Sequence, residues 1–598
     1  MMKSKLILDL ECYPNYFLVA SLDLESNQVK TFELNNEKSL DIDEIESLLS
    51  THEIITFNGN RYDMPLLTLA MSGADNTKLK YANDEIIKRE LTQYQFYNRF
   101  NLQQLDINHI DLIEVIPGKA SLKIYGGRLH CNKMQDLPYE PDKILTRDEQ
   151  SLVKAYCGND LEVTKLLYTN LVPQIDLRRK LSNQYKMDLR SKSDSQIAEA
   201  VITAELRRKI GNSISKPPPM TSFLYKMPEF IKPTTDWMDD AIKIVTTKPF
   251  SINNNGQIEM TKELISLQLK RGQSVYQMGM GGLHSNEQNR YFIANNKTIL
   301  RDSDVASYYP SIILNCELYP KQLGKSFLDV YKQIVDTRLA AKASGDKVTA
   351  DSLKITINGS FGKLGSKYSN LYSPDLMIQV TVTGQLALLS LIDALENESI
   401  SVISANTDGI VTKFDSSKEP MMMKIISDWE QTTGFVMEHS DYSAVYSRDV
   451  NNYIATTTNN KVKVKGCYKP GDFQKNPRNE ICNEAAVQYL LEGKDIEETI
   501  IECKDITKFL TVQAVKGGAV KDKKELGKAI RWYYAKGSFG TINYKTNGNM
   551  VPRTTGAKPL MDLPKEFPSD INYQWYVNET KDLICDVGLK IKGQLDLF

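Results

Sequence analysis

The run SISKPPPM, residues 213–220, constrains this chain more than any other stretch. Three consecutive prolines exclude helix and central strand alike, because each fixes φ and removes a backbone donor. The chain is therefore expected to divide there. Its 598 residues suffice for about three to five domains, each with its own core. Hydrophobic residues at 41% and charged residues at 25% put those domains in the ordinary globular class. A formal net charge of −1 leaves nucleic acid open as a partner, since clustering of cations matters more than their total. Basic runs do occur, at KVKVKGCYK (461–469) and KGGAVKDKKELGK (516–528).

The cysteines (Cys12, Cys131, Cys157, Cys316, Cys467, Cys482, Cys503 and Cys585) are scattered, with no C-x-x-C pair. That spacing argues against a zinc site or a disulfide framework and for a reducing, cytoplasmic compartment. MMKSKLILDLECYP has too short an apolar run for a signal peptide. No stretch approaches about 18 consecutive apolar residues, so no membrane span is expected.

Before the prolines, acidic residues stand at three places. KLILDLEC puts Asp9 and Glu11 two apart on an apolar strand, which sends both carboxylates to one face. EIITFNGNRYDMPLL is a strand running into a loop that carries Asn58 and Asp63. SLVKAYCGNDLEVTKLL has helical spacing from Leu152 to Leu167, with Tyr156 and Asp160 one turn apart. Each alone reads equally as a surface pair or a local contact.

After the prolines, ISVISANTDGIVTKF (400–414) predicts a tight hairpin, with Asn406, Thr407, Asp408 and Gly409 between two apolar stretches. In TILRDSDVASYYPSIILNCELYP (298–320) an apolar strand ends at Asp304, and a helix begins around Ser307, Tyr309 and Pro310. Residues 326–365 read as two helices about a turn near SGD, with Arg338 and Lys342 on the first and Lys354, Asn358 and Phe361 on the second.

In this order the first three segments resemble the exonuclease motifs of the DEDD superfamily in its tyrosine-bearing form. The resemblance implies that Asp9, Glu11, Asp63 and Asp160 hold two divalent metals, Mg²⁺ or Mn²⁺, for phosphodiester hydrolysis. It further implies that Tyr156 orients the attacking water, that Asn58 holds the single-stranded end, and that Lys123, in SLKIYGGRL, reaches the phosphate. DVASYYPSII resembles the D-x-x-S-L-Y-P-S-I motif of family B DNA polymerases, and K-x-x-x-N-x-x-F-G (354–362) resembles their fingers motif. By that resemblance Asp304 and Asp408 carry a second pair of Mg²⁺ ions. Arg338, Lys342, Lys354 and Asn358 take the triphosphate of a dNTP, beside Ser307, and Tyr309 excludes a ribose 2′-OH. YQMGMGGLHS, with Gly281 and Gly282, and the K-x-K-G-x-Y segment, with Lys463, Lys465 and Tyr468, are then DNA-binding.

The sequence also departs from the family pattern. Asn406 and Gly409 replace an aspartate and a serine of the D-T-D-S hairpin, Phe361 replaces a tyrosine, and the primer-clamp K-K-R-Y is missing. The short intervals from Asp304 to Lys354 and from Lys363 to Asn406 resemble compact phage polymerases without their protein-priming insertions. That predicts extension of an ordinary primer made by a primase. The ending Gln594-Leu595-Asp596-Leu597-Phe598 resembles the peptide that docks on the bacterial β sliding clamp.

The expected fold is therefore α/β and α+β multidomain: a ribonuclease-H-like exonuclease (1–175), then a right-hand polymerase. The latter comprises linker and first palm segment (176–316), fingers (317–365), second palm segment (366–470), thumb (471–590) and clamp-binding tail (591–598). RWYYAKGSF (531–539) is expected to touch duplex DNA. A monomeric DNA-directed DNA polymerase with 3′–5′ proofreading, acting on primer–template in a bacterial cytoplasm for a phage or mobile element, is the leading expectation. The alternatives are an exonuclease with an inactive polymerase half, for which Asn406 speaks, or a non-catalytic protein that binds DNA and clamp.

Overall fold

A computed structural model describes residues 4–591, apart from 212, 213 and 216. The expected clamp-binding residues Gln594, Leu595, Leu597 and Phe598 lie outside the described residues. The chain forms two compact units.

The first unit comprises Met1–Ser193, Pro470–Ile481 and Ile500–Tyr576. Its sheet contains β1 (Lys5–Tyr13), β2 (Tyr16–Asp23), β3 (Val29–Leu34), β4 (Glu53–Thr56) and β5 (His109–Asp111) in the order β3-β2-β1-β4-β5. The β1–β2 and β2–β3 pairs are antiparallel, and β1–β4 and β4–β5 are parallel. Alternation along β1 divides its side chains between two cores. Leu6, Leu8, Leu10 and Cys12 join one, while Ile7 and Tyr13 join the other together with Cys157, Leu161 and Leu167. Asp9 and Glu11 share the parity of Ile7 and Tyr13, so they face the long helix α1 (Arg147–Tyr185). A capping box of Thr146 and Glu149 starts α1, which continues through Pro173. The expected boundary at 175 thus falls inside a helix, and the compact unit runs on to Ser193.

The segment expected to form a separate thumb, 471–590, is divided between the units. In the first unit its hairpin, Thr511–Lys521 with Lys524–Tyr534, is built into the same body as the five-stranded sheet. Arg531 is fully buried and donates to the carbonyls of Cys131 (2.7 Å), Leu560 (2.8 Å), Met561 (3.1 Å) and Asn132 (3.3 Å). Trp532, Tyr533 and Tyr534 are buried with it. The expected duplex contact by RWYYAKGSF is therefore corrected for 531–535, which is core. The Arg531 guanidinium adds a donor to each of these carbonyls, two of which, Asn132 and Met561, also accept backbone amides.

The second unit comprises Asp194–Lys469, Cys482–Thr499 and Val577–Phe598. Its elements include α2 (Asp194–Ile210), β6 (Ser274–Gly279), β7 (Gly282–Ser285), β8 (Thr298–Val305), α3 (Tyr308–Asn315), α4 (Ser326–Ser344), α5 (Lys347–Leu364) and α6 (Pro374–Asn397). Beyond these come β9 (Ser401–Asn406), β10 (Gly409–Asp415), β11 (Met437–Asp449), β12 (Asn452–Thr457) and β13 (Val462–Val464). One ten-stranded sheet orders them β13-β12-β11-β8-β10-β9-β7-β6, followed by Leu269–Arg271, with Gln288–Ile293 also paired to β11. Helix α6 is long and apolar enough by composition to cross a membrane, with a mean hydropathy of 1.5 over its best window. That window is 89% buried, which makes α6 the core helix of this sheet.

The two helices expected at 326–365 are α4 and α5, joined at Gly345, whose φ is +78°. The sequence reading missed α2, which packs against both. Gly359 explains how close this packing is: a Cβ there would meet the Asp194 carbonyl oxygen at 2.6 Å. Lys363 pairs with Glu199 of α2 at 3.0 Å.

Candidate active sites

In the first unit, β1 and α1 bring Asp9, Glu11, Tyr156, Cys157 and Asp160 together. Tyr156 lies near Asp160, one helical turn away as the spacing predicts, and acts to lower its carboxyl. The Cys157 thiol donates to Asp9 Oδ2 at 3.3 Å. Asp63, 2% exposed, begins the helix after β4 and lies close enough to repel Asp9 and Glu11. Burial, then the Asp160 charge, pushes the Asp9 carboxyl up to about 7. Burial pushes Asp160 up to about 6, although Tyr156 and the Lys123 charge act the other way. Glu11 and Asp63 also rise, by burial first and then by the repulsion of Asp9. Lys123 lies 5.1 Å from the Tyr156 ring centre and pairs with Asp136 at 3.2 Å.

Asn58 occupies a left-handed conformation, φ +70°, at the turn out of β4. The carboxylate that holds this loop is Asp111, at the end of β5, which no sequence signal marked. It accepts the amides of Asn58 at 2.7 Å and Asn60 at 2.9 Å. Gly59 between them is required by space, since a Cβ would overlap the Thr56 side chain. Asp111→Ala leaves three amides, of Asn58, Asn60 and Ile113, short of an acceptor and is expected to cost about 1–3 kcal/mol in denaturant unfolding. Asp111→Asn, which keeps one acceptor, should recover part of that loss.

The four carboxylates could hold hard divalent cations. Asp63 and Asp160 are buried, Asp9 and Glu11 are half-buried beside them, the four repel one another, and Asp63 Oδ1 has no hydrogen-bond partner among the described residues. The raised carboxyls fix a sign. Folded protein keeps protons that the unfolded chain loses above about pH 4, so metal-free stability should fall as pH rises from about 4 through 7. Thermal unfolding without divalent cations should show that fall, and Asp9→Asn should flatten it. Mn²⁺ should restore more stability at about pH 8 than at about pH 5.

In the second unit, β8 is hydrogen-bonded on both edges, to β10 and to β11. Asp304 stands opposite Gly409 on one side and Glu438 on the other. The hairpin is tighter than the expected four-residue turn, because Asn406 pairs with Gly409 and leaves only Thr407 and Asp408 in the loop. The Asp408 carbonyl accepts from the Val305 amide at 2.7 Å, which fixes the hairpin tip to the end of β8. A Cβ at Gly409 would overlap Asp304 Oδ1, so glycine makes room for that carboxylate. Gly282 also has a packing reason: its φ is +122°, and a Cβ would press on Thr407. No such neighbour stands against Gly281.

Period two also puts Asp302 on the face of Asp304, a residue the sequence reading passed over. Asp302 accepts from the Tyr442 hydroxyl and from Lys463 Nζ at 3.1 Å. Lys463, expected on primer backbone, is thus held beside the acids. Burial, then the Asp302 charge, pushes Asp304 up to about 6, and burial raises Asp408. A cavity of about 630 Å³ is lined by Asp302, Asp304, Asp408, Glu438, Lys463 and Lys465. Lys465 is exposed, with Nζ 5.9 Å from the Tyr453 ring centre. Tyr468 is not a surface residue: its ring is 1% exposed and its hydroxyl donates to the Leu583 carbonyl at 3.1 Å. Its expected DNA contact is corrected to a core role.

A neighbouring cavity of about 460 Å³ unites Tyr309, Arg338, Lys354, Asn358, Phe361 and Asp408. Tyr309 and Phe361 pack with ring centres 4.5 Å apart. Arg338 donates to Ser307 Oγ at 3.2 Å, and Lys342 pairs with Glu438 at 3.3 Å. Asp304 and Asp408 could hold divalent cations on the first cavity, next to a basic wall on the second.

No family model and no curated protein matches this chain. Among solved structures it is similar to the family B DNA polymerase from the hyperthermophilic archaeon Pyrobaculum calidifontis, at 13% sequence identity and a TM-score of 0.42, over 99% of this chain and 79% of that one.

Proposed function

We propose that this chain is a DNA-directed DNA polymerase with a separate 3′–5′ exonuclease site. One observation carries the reading. Asp304 and Asp408 line one cavity, and Asp408 and Arg338 also line the neighbouring one, which Lys354, Asn358 and Tyr309 complete. Nucleotidyl transfer needs acids where the 3′-OH meets the α-phosphate and cations along the triphosphate. Asp304 and Asp408 would hold divalent cations, which when bound would supply charge stabilisation and a more acidic primer hydroxyl. Arg338 and Lys354 bind and orient the phosphates, while the Tyr309 ring excludes a 2′-OH. Asn406 keeps hydrogen-bonding capacity beside the acids without adding charge.

The order of strands in the first unit, with antiparallel β1–β3 and parallel β4 and β5, supports a ribonuclease-H-like exonuclease. There Asp9, Glu11, Asp63 and Asp160 hold the divalent cations, Tyr156 orients the attacking water, and Lys123 faces the phosphate. The second unit supplies palm strands and the α4–α5 fingers. The C-terminal peptide is read as a ligand of a bacterial sliding clamp, with a primase supplying primers in a phage or mobile-element replication system.

Incubation of a 5′-labelled primer–template with Mg²⁺ and dNTPs is expected to give longer products, and omission of dNTPs to give 3′-shortened ones. Neither product from the native chain would sink the reading. Shortening alone, even with the exonuclease acids intact and dNTPs in excess, would favour a nuclease with an inactive polymerase half.

A further inference from the structure

The exonuclease acids have an unusual neighbour for hard cations, a fully buried thiol. Donor atoms of Asp9, Glu11 and Cys157 all lie within 4.8 Å of one another, and Cys157 is 0% exposed. Two donors on one tetrahedral ion at about 2.0–2.3 Å stand about 3.3–3.8 Å apart, so side-chain shifts of about 1 Å close the set. Asp63 provides a second, independent observation. Its Oδ1 is buried without a hydrogen-bond partner among the described residues, against the same acids. Asp63 thus offers a third oxygen, from outside that group of three, as the fourth donor to a tetrahedral ion.

We propose that Asp9, Glu11 and Cys157, completed by Asp63, form a site for a thiophilic divalent cation such as Zn²⁺ or Cd²⁺, bound in a mode distinct from that of Mg²⁺ or Mn²⁺. A thiolate prefers borderline and soft ions, whereas Mg²⁺ and Mn²⁺ prefer oxygen. Binding replaces the Cys157 thiol proton, now donated to Asp9, with a metal–sulfur bond, and the proton leaves to solvent. No electron changes hands. Zn²⁺ would thereby compete with the ions that support hydrolysis. The inference rests on the proposed exonuclease site for its location only, because its readout is binding.

The test is titration of the full, metal-stripped chain with Cd²⁺, following the sulfur-to-cadmium charge-transfer absorption in the ultraviolet. The other cysteines are controlled by running Cys157→Ser and Cys157→Ala in parallel. The native chain should show a band that both variants lack, with Cd²⁺ affinity at this site reduced by about tenfold or more in the variants. Mn²⁺ binding, read by its paramagnetic resonance signal, should change less than about threefold. Asp9→Ala/Glu11→Ala, which keeps the thiol, should also weaken the band. An identical band in the native chain and both Cys157 variants, or full Cd²⁺ affinity without the two acids, would overturn the proposal. A Cys157-dependent band in a chain that never shortens DNA would uphold the site and remove the exonuclease reading instead.

Discussion

Asp408→Asn is expected to abolish primer elongation while 3′ shortening continues at its native rate. The substitution preserves the shape of the hairpin tip: the Asp408 carbonyl still accepts the Val305 amide, and the Asn406–Gly409 pair is untouched. Only one negative charge is lost, from a place where burial has already made charge costly. A bound cation contributes several kcal/mol to a phosphoryl transition state, so the expected loss is on the order of 10³-fold or more in elongation rate. The measurement is single-turnover extension of a 5′-labelled primer in an exonuclease-disabled background, with shortening assayed separately in the otherwise native chain. Undiminished elongation would mean that Asp408 is turn chemistry and nothing else. Loss of both activities would point to unfolding, which the retained backbone bonds argue against.

The reciprocal result is expected for Asp9→Ala/Glu11→Ala: shortening falls on the order of 10³-fold or more, and elongation persists. These two side chains lie on one face of β1, opposite Tyr156, Cys157 and Asp160 of α1, and neither is needed for the β1–β2 register. Their removal relieves repulsion among four clustered acids, so metal-free stability near neutral pH should not drop as it would for a core deletion. Thermal unfolding with and without Mn²⁺ separates the possibilities. The double variant should lose most of the Mn²⁺-dependent gain attributable to this site. Full retention of shortening would place the hydrolytic chemistry elsewhere.

The sequence by itself determined what short spacing controls. Alternation in KLILDLEC put Asp9 and Glu11 on one face, i, i+4 spacing put Tyr156 near Asp160, and NTDG made a hairpin whose one aspartate, Asp408, meets the end of the Asp304 strand. Each is a property of a period of 2.0 or 3.6 residues or of turn chemistry, legible within about ten residues. Tertiary structure alone decided three other things. Asp302 is joined to Tyr442 and Lys463 across 140 and 161 positions, and Asp111 reaches Asn58 across 53. Residues 531–535 and Tyr468 went into cores, although a run of cations and aromatics reads equally well as a nucleic-acid surface. The segment after 470 was shared between two units. Burial and long-range pairing depend on which surfaces meet when the sheets assemble, and the same residue types serve both sides of that choice.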